Sequence, residues 1–185
     1  HHQILADEIT AQEENIKETV LTDDSSKTRV VNIPTQLTPF LGRDEELKQI
    51  TDLLARPDCR LLTLVGPGGI GKTRLSIQVA QSLRETFADG VVFVPLASLT
   101  AVHQTVAATG EAVGLSFTAQ PDPQAYLVSY LKHKTMLLVL DNLEHLLGSV
   151  HLLADLLQAA PNLKLLVTSR ERLNLRAEWL FDVDG

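Results

Sequence analysis

The sequence feature that most constrains the fold is a glycine-rich turn between an apolar run and a helical pattern. Residues 61–65 before the turn resemble a buried strand, and Leu75, Val79 and Leu83 follow it at helical spacing. The turn has the pattern G-x-x-x-x-G-K-[ST], and its residues are Gly66, Pro67, Gly68, Gly69, Ile70, Gly71, Lys72 and Thr73. Glycines in such a turn let backbone N–H groups face phosphate oxygens, and the helix start adds its positive dipole end. The strand, turn and helix together predict a phosphate-binding loop rather than a Gly-Pro turn between two core elements.

The last two residues of this loop carry side chains suited to a nucleotide. Lys72 can reach the β- and γ-phosphates, and the Thr73 hydroxyl can ligate Mg²⁺. We therefore expect ATP or ADP to bind here together with Mg²⁺.

Strand-like runs alternate with helical patterns along the rest of the chain. The strand-like runs are residues 91–94, 136–140, 163–167 and 179–183, and the helical patterns are residues 102–113, 124–131 and 150–159. This alternation predicts an α/β fold whose parallel sheet is covered by helices on both faces. Ahead of the loop, Asp44 is expected to cap a helix that carries Leu47, Ile50, Leu53 and Leu54.

Length and composition indicate one domain in this chain. With 185 residues, we expect residues 34–185 to form a nucleotide-binding domain, and residues 1–33 to be a tag remnant with a helix or tail and a linker. The formal net charge of −7 argues against direct nucleic-acid binding. No apolar run is long enough to span a bilayer, no signal peptide is visible, and the single Cys59 allows no internal disulfide. We therefore expect a cytoplasmic protein that does not enter membranes.

A carboxylate ends the apolar run at residues 136–140. Asp141 stands where a Walker B strand places the acid that holds Mg²⁺, usually through water, and Thr73 would lie beside it. The alternative is an acidic helix cap after a buried strand. The loop upstream favours the metal role.

The next positions bear on hydrolysis. Asn142 stands where many hydrolytic P-loop enzymes carry a second acid, and an amide is a poor general base. Glu144 could act through a water, or it could be a first-turn carboxylate facing a helix dipole. We therefore expect slow ATP hydrolysis.

An arginine follows the strand at residues 163–167, at the sheet edge where ligands gather in doubly wound folds. Arg170 could contact the γ-phosphate, or it could be a surface partner of Glu171 or Asp155. The candidate catalytic residues are Lys72, Asp141, Glu144 and Arg170.

Four stretches together resemble the signal-transduction ATPases with numerous domains, the STAND class, and within it the NB-ARC-like ATPase of large bacterial regulators. The resemblance covers residues 34–184, and its motifs are Phe40-Leu41-Gly42-Arg43-Asp44-Glu45-Glu46-Leu47, the loop through Arg74, residues 138–146 and residues 168–173. It implies a three-layer αβα sandwich with a five-stranded parallel sheet in the order 5-1-4-3-2. It also implies nucleotide contacts from residues 66–74 and, near the adenine and ribose, from Phe40, Leu41, Gly42 and Arg43.

The resemblance implies a switch that is closed with ADP and competent to assemble with ATP, coupled to transcription or defence. In this family the chain continues into a helical lid and a winged-helix domain. We expect the fragment to be monomeric and to bind nucleotide more weakly than the whole protein, which would oligomerise with ATP. One alternative is an AAA+ motor or loader with rapid turnover in an oligomer. Another is a small-molecule kinase, for which we locate neither an acceptor pocket nor a lid.

Overall fold

A computed structural model describes residues 29–184 of the chain, so the helix or tail expected within residues 3–28 lies outside the described residues. The strands are β1 (Val30–Asn32), β2 (Leu61–Val65), β3 (Gly90–Pro95), β4 (Met136–Asp141), β5 (Lys164–Ser169) and β6 (Glu178–Asp182). The helices are α1 (Asp44–Ala55), α2 (Lys72–Ser82), α3 (Val102–Ala112), α4 (Pro123–Leu131) and α5 (Val150–Ala159), with a 3-10 segment at Leu143–Ser149. No helix among the described residues is long and apolar enough to cross a membrane.

The strands form one parallel sheet in the order β1-β3-β4-β5-β2-β6. Five of these strands, from β3 to β6 across the sheet, have the expected order 5-1-4-3-2, which confirms the predicted fold class. The expected number of strands is wrong by one. Val30–Asn32 pairs with residues 90–92 at the edge next to β3, although we expected the core to begin at residue 34. Three residues are too few to show the alternation by which a strand is recognised in a sequence.

Two hydrophobic clusters cover the two faces of the sheet. In β4, Leu138 and Leu140 belong to the cluster under α3, α4 and α5, whereas Leu137 and Val139 belong to the cluster under α1 and α2. All six residues of β4 are buried, because neighbouring side chains point to opposite faces and both faces are covered. This three-layer arrangement explains the uninterrupted apolar runs in the sequence.

The helix before the P-loop begins differently from our expectation. Asp44 is the first residue of α1 rather than its cap, and Arg43 occupies the cap position in the left-handed conformation without a side-chain cap hydrogen bond. Asp44, Glu45 and Glu46 instead lie in the first turn, where carboxylates interact favourably with the positive end of the helix dipole.

The sheet order brings three functional loops together. Strand β5 lies between β2 and β4, with Val65 opposite Ser169 and Val167 opposite Leu140. Because all three strands are parallel, their carboxyl ends meet at one edge of the sheet. The P-loop follows β2, Asp141 ends β4, and Arg170 follows β5 at this edge.

Candidate functional site

The glycine-rich loop joins β2 to α2 with a backbone that requires glycine at several positions. Gly69 and Gly71 have φ angles of 79° and 97°, in the region that favours glycine. At Gly66, a Cβ atom would lie 2.8 Å from the carbonyl oxygen of Val183, so the chain after β6 allows no side chain there. The first turn of α2 leaves its N–H groups without intrahelical partners. This geometry suits an anion at the loop.

Lys72 lies inside the loop and is only 7% exposed. Its Nζ donates hydrogen bonds to the carbonyl oxygens of Gly66 (2.7 Å) and Pro67 (2.9 Å). Burial is the main cause that lowers the pKa of Lys72, the charge of Arg170 lowers it further, and the carboxylates of Glu144 and Asp141 act in the opposite direction. A partly desolvated ammonium attracts a phosphate more strongly than a hydrated one, because the effective dielectric around it is lower.

Asp141 and Thr73 are in direct contact beneath the loop. The Thr73 hydroxyl donates to Asp141 Oδ1 at 2.8 Å, and the Thr168 hydroxyl donates to the same oxygen at 2.6 Å. Thr168 Oγ1 in turn accepts a hydrogen bond from the N–H of Asn142 at 2.9 Å. Asp141 is 6% exposed. A carboxylate and a hydroxyl oxygen side by side are ligands that Mg²⁺ prefers, so the residues present fit this ion.

Glu144 approaches the same place from the 3-10 segment. Asn142 has a φ of 64°, and this left-handed residue turns the chain out of β4 towards Glu144. The Glu144 side chain is 9% exposed, and its Oε1 lies 3.3 Å from Nε of Arg170. Its Oε2 is buried and has no hydrogen-bond partner among the described residues. A buried carboxylate oxygen without a hydrogen-bond partner is uncommon in folded proteins. A polar group bound at this site would supply the partner.

Arg170 lies over the loop on the solvent side. A Cβ atom placed on Gly68 would be 3.4 Å from Nη2 and 3.5 Å from Cζ of Arg170, so the guanidinium covers this glycine. The ion-pair partner of Arg170 is Glu144. Asp155, one alternative partner considered above, accepts a hydrogen bond from Gln124 Nε2 instead.

The remaining candidate residues have other contacts. Nη2 of Arg74 donates to the hydroxyl of Thr38 and the carbonyl of Pro39, so Arg74 fastens segment 34–43 to α2. Nη2 of Arg43 donates to the carbonyl of Asp184 at 2.9 Å. In the same segment, Phe40 packs against the cluster under α1 and α2, whereas Leu41 is 85% exposed.

The structure thus brings Lys72, Thr73, Asp141, Glu144 and Arg170 together, and shows no such grouping for Leu41, Arg43 or Arg74. Two contributors were not singled out from the sequence. Thr168 could have been found, because it carries a hydroxyl near the end of the strand that precedes Arg170. Nothing in the sequence indicated Val183, which acts through its backbone.

The sequence model of the NB-ARC domain family matches residues 43–173, which is more than half of the chain. One relative is the "Putative HTH-type transcriptional regulator Rv0890c" of Mycobacterium tuberculosis (strain ATCC 25618 / H37Rv). It is 42% identical over 120 residues, or 64% of this chain. The match spans 13% of the length of that protein.

Two solved structures share the fold. A Signal Transduction ATPase with Numerous Domains (STAND) protein with a tetratricopeptide repeat sensor from Pyrococcus horikoshii has a TM-score of 0.53 and 16% identity, covering 83% of this chain and 24% of that one. The Aeropyrum pernix ORC2 protein, solved as ADPNP-ADP complexes, has a TM-score of 0.52 and 18% identity, covering 76% and 43%. At these identities the likeness is one of fold alone. The family match over residues 43–173 shows that the chain belongs to the NB-ARC domain family.

Proposed function

We propose that this chain is the ATP- and ADP-binding switch domain of a larger regulator of transcription or signalling, and that it depends on Mg²⁺ and hydrolyses ATP slowly. The observation that carries the proposal is the hydrogen bond between Thr73 and Asp141 at the base of the loop that holds Lys72. This bond brings together the two side chains that would hold the Mg²⁺ of a Mg²⁺–nucleotide complex.

The phosphates interact with the loop and with Lys72. The N–H groups at the start of α2 and the Lys72 ammonium would bind the β- and γ-phosphates. Thr73 and Asp141 would hold Mg²⁺, which neutralises charge on the phosphate oxygens when bound.

Arg170 supplies the difference between the two nucleotides. Its guanidinium covers Gly68 at the outer side of the loop, and we infer that it would contact the γ-phosphate of ATP and no phosphate of ADP. A ligand shifts a two-state protein only through its differential contacts with the two states. A contact that ATP makes and ADP lacks meets this requirement.

Slow hydrolysis follows from the residues after β4. The side-chain amide of Asn142 is a poor general base and would not accept a proton from water. Glu144 would be the carboxylate that orients the attacking water, but it is paired with Arg170. A base already engaged with a cation accepts a proton less readily.

The regulatory role rests on the relatives. The M. tuberculosis relative is named as a transcriptional regulator and is far longer than this chain. The ORC2 protein, which shares the fold, was solved with ADPNP and ADP. Both support a nucleotide switch within a larger regulator.

The test begins with the nucleotide that the purified protein carries. Chromatography of nucleotide released by denaturation is expected to give ADP.

Calorimetry of the stripped protein with Mg²⁺-ATP is then expected to show binding that Lys72→Ala weakens by about tenfold or more, because a cation facing two phosphates is lost. Lys48→Ala is the matched control, since Lys48 lies exposed on α1 in a surface pair with Asp52. Unchanged ATP affinity in a folded Lys72→Ala protein would contradict the phosphate assignment.

A further inference from the structure

The ion pair between Glu144 and Arg170 joins a nearly buried carboxylate to a solvent-exposed guanidinium. The Glu144 side chain is 9% exposed, whereas that of Arg170 is 61% exposed. Ionised carboxylates that are removed from water need a cation or hydrogen bonds to offset the cost. Glu144 has few such partners, because its Oε2 has no hydrogen-bond partner among the described residues.

Arg170 is the cation within ion-pair distance of Glu144 in residues 29–184. The other nearby cation, Lys72, donates to the carbonyls of Gly66 and Pro67. The Nε edge of the guanidinium faces Glu144, and its Nη2 lies against Gly68 of the loop. The same guanidinium is therefore shared between a buried carboxylate and the rim of the phosphate site.

We propose that Glu144 sets the preference of the site for ADP over ATP, by holding Arg170 in an ion pair with which the γ-phosphate must compete. This rests on the proposed function, in which Arg170 is the residue that meets the γ-phosphate. Glu144 is here a positioning residue that acts through Arg170.

The charges determine which of the two nucleotides Glu144 disfavours. In the proposed function ADP has no phosphate that contacts Arg170, so it would leave the pair intact. The γ-phosphate of ATP would compete with Glu144 for the guanidinium. The buried carboxylate would then be less well neutralised. The negative charge of Glu144 therefore weakens ATP binding selectively. Glu144→Gln keeps the length of the side chain and an acceptor oxygen but removes the charge, so it frees Arg170 for the third phosphate.

The experiment is a double-mutant cycle read out as two dissociation constants. Wild type, Glu144→Gln, Arg170→Ala and the double variant are each titrated by calorimetry with Mg²⁺-ADP and with a non-hydrolysable Mg²⁺-ATP analogue. In the wild-type background, Glu144→Gln is expected to tighten the analogue about three- to tenfold and to change ADP less than about twofold. This range is about 0.7–1.4 kcal/mol, at and slightly above what exposed ion pairs contribute, because the Glu144 side chain is only 9% exposed. In the Arg170→Ala background the same substitution is expected to leave the ratio of the two constants unchanged.

Glu171→Gln is the matched control, because it removes an exposed carboxylate from the residue next to Arg170. It should leave the ratio unchanged. A gain of affinity for one nucleotide is also a result that structural damage does not produce.

Three results would overturn the inference. An equal change for both nucleotides would mean that Glu144 repels all the phosphates alike. A selective gain that persists without Arg170 would mean direct repulsion of the γ-phosphate. A loss of analogue affinity would mean that Glu144 assists ATP. In all three cases ADP still binds and the proposed function stands, whereas wild-type protein that binds neither nucleotide refutes both.

Discussion

Two hydrogen bonds converge on one carboxylate oxygen at the end of β4. Asp141 Oδ1 accepts from the hydroxyls of Thr73 and Thr168, and the Thr168 hydroxyl also accepts from the N–H of Asn142. Thr168 is fully buried. At the scale of the residue, this buried hydroxyl fixes both the orientation of the carboxylate and the path of the chain after β4.

Thr168→Val is therefore expected to destabilise the protein. Valine has a similar shape, but it leaves the Asn142 N–H without its partner and removes one donor from Asp141. We expect the free energy of unfolding, measured by urea denaturation, to fall by about 1–3 kcal/mol. Thr118→Val, at an exposed loop position, is the control and should change it by less than about 0.5 kcal/mol. If the two variants are equally stable, the buried hydrogen bonds of Thr168 contribute nothing measurable.

The sequence could predict which side chains share the site, but not how all of them pair. Parallel strands end at one edge, so the proximity of Thr73, Asp141 and Arg170 follows from motif order and sheet order. The pair between Glu144 and Arg170 depends on the left-handed Asn142 and the irregular 3-10 segment, which no periodicity encodes. The roles of these residues in binding and hydrolysis stay predictions.

At the scale of the element, the edge strand β1 depends on one glycine. Gly90 pairs with Val30 and has a φ of 108°. A Cβ atom on Gly90 would lie 1.8 Å from the carbonyl oxygen of Val30, which is far inside van der Waals contact. Only glycine allows β1 to approach β3 at this point.

Gly90→Ala is thus expected to separate the two strands. Gly114→Ala is the matched control, because Gly114 also has a positive φ, of 80°, but has nothing within 4 Å of a Cβ. The control carries only the left-handed strain, about 1–2 kcal/mol. We expect Gly90→Ala to lose about 1–3 kcal/mol more in urea denaturation, and residues 30–32 to lose protection from hydrogen exchange. Equal destabilisation of the two variants, with β1 still protected, would contradict this account.

Long elements with clear periodicity were predictable, and short ones were not. The helices α3, α4 and α5 and the strands β3 to β5 lie where their apolar patterns indicated. Strand β1 has only three residues, and its position depends on a contact with Gly90 that is distant in sequence. The start of α1 at Asp44 was misplaced by one residue, because the Arg43 cap uses backbone conformation rather than a capping side chain.

At the scale of the whole molecule, the end of the sheet is tied to the phosphate loop. The N–H of Val183 donates to the carbonyl of Val65, and the Val183 carbonyl closes on Gly66. Arg43 donates to the carbonyl of Asp184. The chain spans 13% of the length of the M. tuberculosis relative. These contacts join the backbone directly after β6 to the phosphate loop and to Arg43.

A switch must persist in each nucleotide state, so the proposed switch function depends on slow turnover. We expect steady-state phosphate release from Mg²⁺-ATP to be far below the ordinary enzyme range of roughly 10 per second. The physical reason is that Asn142 cannot act as a base and Glu144 is engaged by Arg170.

If Glu144 orients the water in the residual reaction, Glu144→Gln lowers that rate even though ATP binding does not weaken. Turnover near 10 per second, with ATP-dependent self-association in size-exclusion chromatography, would instead favour the AAA+ motor, because such enzymes complete their sites across subunit interfaces.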